Sequence, residues 1–558
     1  MSATSSRLLS ELESIRLTFG PQTARRRRQL LRSLARADLP MAADVQRLHE
    51  ILCFCRAYPD DARLLTLVER MLANFAKRPD LQKHRAALAD SGIAGTDIHY
   101  RFFATMARWA AAQWPERLGI DWENTDAARI EGILPLLAHY GETPALDEIG
   151  LDASEWLARM KGPREGDGAF LARRLGELGL NGFAHEYLYE NLDAWMVLAA
   201  GPDGPSRTRA RYAGVKPVFR AEAPDARRPD LETELAAWPQ SITRVGPAAG
   251  RKLVDLAREA MITRGRDLDA FAWADPRDVS LVDDGEGLVF ALIGVVPERR
   301  LMFEAVYGYL ILRSGVPVGY GVVSSLYGTI EVAFNLFESF RGAEAGHLYA
   351  RLLAALMGVF AADTVTVYPY QLGGDGNDEG LRTGAWWFYQ KLGFRSRDKA
   401  ILRLMRRELA TMKRRPSHRT KPAVLKELVG GNVYYDMVGP REDIIGRLAL
   451  AEVGLKVTDS LAKRFGSQRH LAGPECAREA RARLGLRGPG SRQAGVKLAW
   501  ERWAPLVLLL PGLDGWSKAD KKALAAVIDA KGGARESDFV ALFDAHPKLR
   551  RALVKMAG

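Results

Sequence analysis

The chain has few of the features that mark secreted or membrane proteins. It contains only three cysteines, Cys53, Cys55 and Cys476, in 558 residues. Cys53 and Cys55 stand two apart in a segment with helical periodicity, so their side chains would point to different sides, which suits neither a disulfide nor a metal site. No run of about 18 apolar residues occurs, so we expect no membrane span. The first residues lack an apolar stretch after a basic start, so we expect no signal peptide and a cytoplasmic location.

Several widespread catalytic and repeat signatures are also missing. The nine histidines form no His-x-x-x-His pattern and no mixed Cys/His set, so no metal is expected. The sequence has no P-loop and no dinucleotide-binding fingerprint. It also lacks a repeat of fixed period, which argues against a solenoid.

The net charge of +12 is unevenly distributed. From residue 401 onward, 31 Lys and Arg face 16 Asp and Glu, an excess of +15, while the preceding 400 residues carry −3. Such asymmetry predicts contact with nucleic acid or simply a solvated basic face, and both interpretations stay open. The candidates for phosphate contacts are Arg406, Arg407, Lys413, Arg414, Arg415 and Lys421.

Composition and periodicity divide the chain into three regions. Residues 1–245 read mostly as helices, because apolar residues recur at spacings of three and four. Residues 246–405 contain strand-like runs mixed with helices, which predicts an α/β or α+β core. Residues 406–558 are again helical, and they are basic. We therefore predict a mixed sheet flanked by a large helical N-terminal region and a basic helical C-terminal region.

The order of elements between Tyr309 and Phe394 is the most informative feature. Three strand-like runs precede the loop RGAEAG, which spans Arg341 to Gly346 and opens the helix HLYARLLAALMGVF. The strand TVTVYPYQL and the helical segment AWWFYQKLGF, which begins at Ala385, follow. A loop at a helix N-terminus offers backbone N–H groups and the helix dipole to an anion.

Both motifs resemble those of the GNAT acyltransferase superfamily. Its phosphate loop has the form Arg/Gln-x-x-Gly-x-Gly/Ala, and its later helix has the form Ala-x-x-Phe-Tyr-x-x-Leu-Gly-Phe, which AWWFYQKLGF matches at each specified position. The resemblance covers about residues 246–405, and the flanking regions match no family that we recognise. It implies a GNAT-like mixed sheet with helices on both faces.

The resemblance also implies a co-substrate, acetyl-CoA or another acyl-CoA. The loop would hold the pyrophosphate, and the main chain at Leu336 and Glu338 would hold the pantetheine arm. The implied binding residues are Leu336, Glu338, Arg341, Gly342, Ala343, Ala345 and Gly346. Glu344 departs from the pattern, since it stands where the family has its first glycine. A carboxylate there would repel pyrophosphate unless it points outward.

Three residues are candidates for catalysis. Family members often use the tyrosine that matches Tyr389 to protonate the departing thiolate, although a buried aromatic with a structural role is an equal alternative. A base is needed because a protonated amine is not nucleophilic. Glu331 and Glu338 are the candidate bases, because both belong to the strand-like run TIEVAFNLFESF before the loop.

Two functional hypotheses follow. In the first, the protein is an acyl-CoA-dependent N-acyltransferase, with acetyl as the expected acyl group and a small-molecule or protein amine as the acceptor. In the second, a catalytically inactive GNAT-like scaffold carries helical flanks that bind a protein or nucleic-acid partner. Neither hypothesis involves a membrane.

Overall fold

A nine-stranded mixed sheet forms the centre of the computed structural model, which describes residues 2–223, 225, 227–342, 344–487 and 490–558. The prediction of a mixed α/β core is thereby confirmed. Helices precede, cover and follow this sheet along the chain. The bounds of all elements are given region by region below.

Up to residue 240, the described part of the N-terminal region contains thirteen α-helices and three short strands. The helices are α1 Ser2–Ser14, α2 Pro21–Leu34, α3 Ala42–Ala57, α4 Ala62–Ala73, α5 Pro79–Lys83, α6 Ala104–Gln113, α7 Ala127–Glu131, α8 Leu134–Leu137, α9 Thr143–Glu148, α10 Ala153–Met160, α11 Asp167–Glu177, α12 Gly182–Leu192 and α13 Leu231–Ala236. The strands are β1 Ile98–Tyr100, β2 Leu118–Ile120 and β3 Met196–Leu198, which pair in a small separate sheet.

The central region supplies most of the large sheet. Strand β4 Ser241–Arg244 lies just before this region, whose own strands are β5 Ala274–Gly285, β6 Leu288–Val295, β7 Ala305–Arg313, β8 Val316–Leu326, β9 Thr329–Leu336, β10 Thr364–Val367 and β11 Arg395–Ser396. Its helices are α14 Pro247–Ile262, α15 Asp269–Ala272, α16 Ala345–Phe360, α17 Pro369–Leu372, α18 Asp378–Thr383 and α19 Ala385–Lys391.

Among the described residues of the C-terminal region, all regular elements are helical apart from one strand. Its elements are α20 Lys399–Arg414, α21 Pro422–Leu428, β12 Val433–Asp436, α22 Leu450–Phe465, α23 Ala472–Arg483, α24 Ala494–Val507, α25 Lys518–Lys531, α26 Glu536–Asp544 and α27 Pro547–Ala557. None of the described helices is both long enough and apolar enough to cross a bilayer.

The strand order is β4-β5-β6-β7-β8-β9-β10-β12-β11. Neighbours pair antiparallel except β9 and β10, which run parallel. Their pairing ends at Glu331 and Thr366, although β9 continues to Leu336. The two strands therefore separate, and the second half of β9 keeps only β8 as a strand partner.

Helices pack on both faces of this sheet. On one face, Tyr349 of α16 contacts Phe334 of β9 at 5.1 Å between ring centroids. On the other, a Cβ on Gly308 of β7 would meet the Phe271 ring of α15 at 2.6 Å. Gly308 pairs with Val322 of β8, which pairs with Ala333 of β9, so these three side-chain positions share one face. Phe334 follows Ala333 and points to the other face, so the two helices cover opposite faces.

The sheet extends beyond the predicted central region of 246–405. Strand β4 precedes that range, and β12 follows it and inserts between β10 and β11. The predicted boundaries at 245 and 406 therefore cut through one sheet. Sequence periodicity missed both strands because each is only four residues long and lies next to helical segments.

The C-terminal region fixes the turn that leads into β9. The carboxylate of Asp544, at the end of α26, accepts hydrogen bonds from the backbone N–H groups of Tyr327 at 3.0 Å and Gly328 at 2.9 Å. Tyr327 has a φ of 48°, which a β-branched or bulky side chain seldom adopts. The bonds to Asp544 stabilise this turn and so help to set the start of β9.

Candidate functional site

A cavity that several of the predicted site residues line lies at the C-terminal end of β9 and has a volume of about 760 Å³. One wall is Asn335 to Ser339, together with Tyr320 of the neighbouring strand β8. The opposite wall is N-terminal and includes Glu13, Arg16, Ala43, Gln46, Arg47, Glu50, Ile51, Asp90, Ser91 and Arg207. Residues of both the N-terminal and the central region therefore line this cavity, although the sequence analysis assigned them to separate regions.

Contacts of α3 bring the N-terminal wall to the sheet. Phe54 of α3 stacks on Phe340 at 6.4 Å between centroids, just after the short 3-10 turn begins at Glu338. The guanidinium of Arg16 lies 5.2 Å from the Phe54 ring. These aromatic contacts hold α1 and α3 against the end of β9, so the N-terminal helices form part of the site rather than an independent module.

The structure brings three of the predicted co-substrate residues to this cavity. Leu336, Glu338 and Arg341 all line it. Gly342 is exposed beside them, whereas Ala345 and Gly346 lie on the first turn of α16 outside the cavity lining. The seventh predicted residue, Ala343, lies outside the described residues.

Arg341 lines the cavity and is held there by two contacts. Its Nε donates to the Leu336 carbonyl at 3.2 Å, and its Nη1 lies 2.8 Å from the Glu379 carboxylate. The hydrogen bond from Arg341 to the Leu336 carbonyl also connects the loop to the end of β9.

Glu344 does not face a ligand at the loop. Its carboxylate forms an ion pair with Arg313 of β7 and lies 3.3 Å from Arg220, with 13% of its side chain exposed. Burial lowers the pKa of Arg313 to about 10. Glu344 therefore neutralises a buried arginine that stands 31 residues earlier, and it makes no side-chain cap at the start of α16.

The first turn of α16 is lined on one side by the segment before α13. A Cβ on Gly346 would lie 3.0 Å from Cδ of Pro229, so a larger residue there would displace this segment. His347 pairs with Glu234 at 3.0 Å and with the Arg227 carbonyl at 3.1 Å. Around Gly342 the space is more open, since the nearest atom to a Cβ there is a Leu17 methyl at 3.8 Å.

Glu331 lies in the middle of β9 and outside the cavity lining. Burial raises the pKa of its carboxyl to about 7, and the nearby Glu304 carboxylate adds to this effect. Its side chain shares a face of β9 with Asn335, which does line the cavity. Four residues of strand separate the two positions by roughly 13 Å.

Tyr389 lies in an aromatic cluster under the sheet. Its ring makes edge contacts with Tyr349 at 5.5 Å and with Phe394 at 5.7 Å between centroids. Burial raises the pKa of its phenol, so the hydroxyl stays protonated at neutral pH. The residue does not line the cavity, and its packing alone would explain an aromatic side chain at this position.

Glu338 faces the cavity without a basic partner within 4.0 Å among the described residues. Glu338 acts electrostatically on Arg207. Burial lowers the pKa of Arg207 to about 10, and the negative charge of Glu338 opposes this decrease. Glu338 and Glu331 therefore occupy different parts of the site, and the structure does not bring the two candidate bases together.

The cavity also contains two arginines that the sequence analysis did not select. Arg264 and Arg266 follow α14 in the segment ITRGRD and line the cavity opposite the N-terminal helices. The only sequence feature that marked them was an Arg-Gly-Arg run shortly after an amphipathic helix. In the structure the middle residue, Gly265, has a φ of 55°. Nothing in the local sequence indicated that this turn lies beside β9.

The predicted phosphate-contact residues of the C-terminal region lie on and after α20. All of them, Arg406, Arg407, Lys413, Arg414, Arg415 and Lys421, are exposed. They form a basic surface away from the cavity lining. This surface is compatible with either a solvated face or a polyanion contact, so the prediction stays open.

No protein-family model, curated protein or solved structure matches the chain significantly.

The Glu344 pairing predicts a loss of stability on substitution. Glu344→Gln should lower the free energy of unfolding by about 3–5 kcal/mol, because it leaves Arg313 buried without its carboxylate. Chemical denaturation would measure this loss. The matched control is the double variant Glu344→Leu/Arg313→Met, which removes both charges and should cost less than either single change. A Glu344→Gln variant as stable as the parent would contradict a buried pair.

Proposed function

We propose that the protein is an acyl-CoA-dependent N-acyltransferase of the GNAT type. The observation that carries the proposal is the separation of β9 from β10 next to a cavity, with the RGAEAG loop and α16 between the two strands in the chain. An extended arm can add to an unpaired strand edge through main-chain hydrogen bonds. Among the described residues, the main chain of β9 from Val332 to Asn335 is free on this side to bind pantetheine, whereas the Leu336 carbonyl already accepts a hydrogen bond from Arg341.

The loop would hold the pyrophosphate on its Gly342 side. Backbone N–H groups at the first turn of α16 and the positive end of the helix dipole favour an anion there. Arg341 contributes a cation at the junction of the loop and the cavity. The pairing of Glu344 with Arg313 and Arg220 supports this arrangement, because it turns the one acidic side chain of the loop to a different partner.

Acyl transfer would proceed by direct attack. The amine nitrogen forms a bond with the thioester carbonyl carbon, the carbon–sulfur bond breaks, and an amide and a thiolate result. Glu331 would take the proton from the amine, because a pKa of about 7 lets a carboxylate accept a proton near neutral pH. Tyr389 would supply a proton to the thiolate, and burial, which raises the pKa of its phenol, makes it a weaker acid than a solvated tyrosine.

Glu331 is a better candidate base than Glu338. It stands at the point where β9 and β10 separate, so it lies nearest to the place where the thioester would enter. Glu338 lies beyond the end of β9, near the arginines of the cavity, and its negative charge partly neutralises their positive charge. We therefore assign Glu338 to the cavity wall and Glu331 to proton transfer.

Ligand-dependent stability tests the proposal. At a hundred times its Kd, acetyl-CoA should stabilise the protein by about 2.7 kcal/mol, which thermal unfolding would detect. ATP, which carries phosphates but no pantetheine, is the control and should stabilise the protein less than acetyl-CoA, because it can occupy only the phosphate contacts. A thiol-specific dye would then report amine-dependent release of CoA. Unchanged unfolding with millimolar acetyl-CoA would contradict the proposal and favour the scaffold hypothesis.

Glu331→Gln should separate the catalytic role from stability. The substitution should lower kcat by about 10²–10⁴-fold, as expected for the loss of a general base. Because the folded-state pKa is raised, the parent loses stability as pH rises from about 4.5 through 7, and Gln removes this loss. The melting temperature of the variant should therefore exceed that of the parent at pH 8 and equal it at pH 4. The exposed Glu452→Gln is the control, and a variant with parental kcat would contradict the assigned role.

A further inference from the structure

The cavity at the end of β9 carries more positive charge than its own carboxylates neutralise. Three of its arginines are paired within the cavity, namely Arg47 with Glu13, Arg207 with Glu50 and Arg341 with Glu379. Four further lining arginines have no carboxylate within 4.0 Å among the described residues, and these are Arg16, Arg264, Arg266 and Arg382. Unpaired arginines in a concave site attract an anion, since each retains charged N–H donors.

Arg264 is positioned as a fixed donor. Its Nη1 donates to the Ala260 carbonyl at 2.9 Å, which satisfies an acceptor at the C-terminal end of α14. Its guanidinium carbon lies 3.7 Å from the centroid of the Phe337 ring, which restricts the side chain further. The Nε and Nη2 groups form no hydrogen bond with the described residues, so they remain for a ligand.

Arg266 is hydrogen-bonded to Tyr320, the aromatic residue that stacks on Phe337. Its Nη1 donates to the Tyr320 hydroxyl at 3.1 Å, and the Tyr320 ring stacks on Phe337 at 5.3 Å between centroids. The positive φ of Gly265 turns the backbone between the two arginines, so both line the cavity. Two guanidinium groups anchored to one aromatic platform can bind the oxygens of one anionic group.

We propose that this cavity binds the acceptor amine through a carboxylate or phosphate, which Arg264 and Arg266 hold. This inference rests on the proposed acyltransfer function. The acceptor would extend from the arginines past Asn335 along β9 toward Glu331, which places its amine far from its anionic group. The cavity of about 760 Å³ would hold the anionic end of such a molecule, and its amine would leave the cavity beyond Asn335 to reach Glu331, which lies outside the lining.

Calorimetric titration with inorganic phosphate tests the anion site without any acyl-CoA. Phosphate should bind the parent protein saturably, and Arg264→Gln and Arg266→Gln should each weaken binding about tenfold or more. Arg266 is exposed, so its variant should fold like the parent and keep the test valid if Arg264→Gln does not. Arg63→Gln, an exposed arginine of α4 outside the cavity, is the control and should bind as the parent does.

Amine-dependent release of CoA tests the acceptor class. With acetyl-CoA, 6-aminohexanoate and 6-aminohexyl phosphate should react faster than the neutral 6-aminohexan-1-ol, and Arg266→Gln should remove this preference. The faster of the two charged amines identifies the anionic group. Equal rates for the charged and neutral amines in the parent would overturn the inference.

The two proposals fail in different ways. If acetyl-CoA stabilises the protein but phosphate binding is absent or unaffected by both arginine variants, the acceptor inference is wrong and the acyltransfer proposal stands. If phosphate binding depends on the arginines but acetyl-CoA neither binds nor reacts, the site binds an anion and its role as an acceptor site is overturned together with the proposed function.

Discussion

The early end of the parallel pairing between β9 and β10 is the constraint on which the rest of the site depends. Three register pairs join these strands, and the last is Glu331 with Thr366. Beyond it, β9 keeps its antiparallel partner β8 and therefore stays rigid while its other edge is unpaired. An unpaired edge in the interior of a sheet carries backbone donors and acceptors that need partners. The proposed pantetheine contact would supply them.

The surrounding elements fix β9 on its paired side and at its start. Tyr309 of β7 donates its hydroxyl to the Ala333 carbonyl, and a Cβ on Gly321 of β8 would meet that same oxygen at 1.9 Å. Only glycine therefore permits this approach in β8. At the other end, Asp544 fixes the turn before β9. The C-terminal region thus contributes to the geometry of a site that it does not line.

The charged residues that line the cavity determine which kind of ligand it can bind. The N-terminal helices add arginines and carboxylates to a wall that the sheet alone would leave open, and the pairs among them neutralise only part of the positive charge. Arg264 and Arg266 provide much of the positive charge that is not neutralised. They lie in the turn after α14, where Arg264 contacts the Ala260 carbonyl and the Phe337 ring. Under the proposed function, the N-terminal region would therefore form part of the wall around the acceptor.

Sequence periodicity predicted the elements that depend on local patterns. The run TIEVAFNLFESF became β9 and a 3-10 turn, and the helices after the loop and around Tyr389 formed as predicted. Contacts between distant residues were not predictable in this way. Glu344 meets Arg313 and Arg220, which are 31 and 124 residues away, and the α3 contact with β8 joins segments more than 250 residues apart. No local pattern records such pairings, so the partner of Glu344 and the cavity wall emerged only from the fold.

Hydrogen exchange of β9 tests the central claim most directly. If the unpaired edge of β9 takes up the pantetheine arm, acetyl-CoA should slow amide exchange in a peptide that covers Val332 to Glu338. Exchange in β6, which is paired on both sides, should not change. Uniform protection across the sheet, or none in β9 when acetyl-CoA is saturating, would contradict the account.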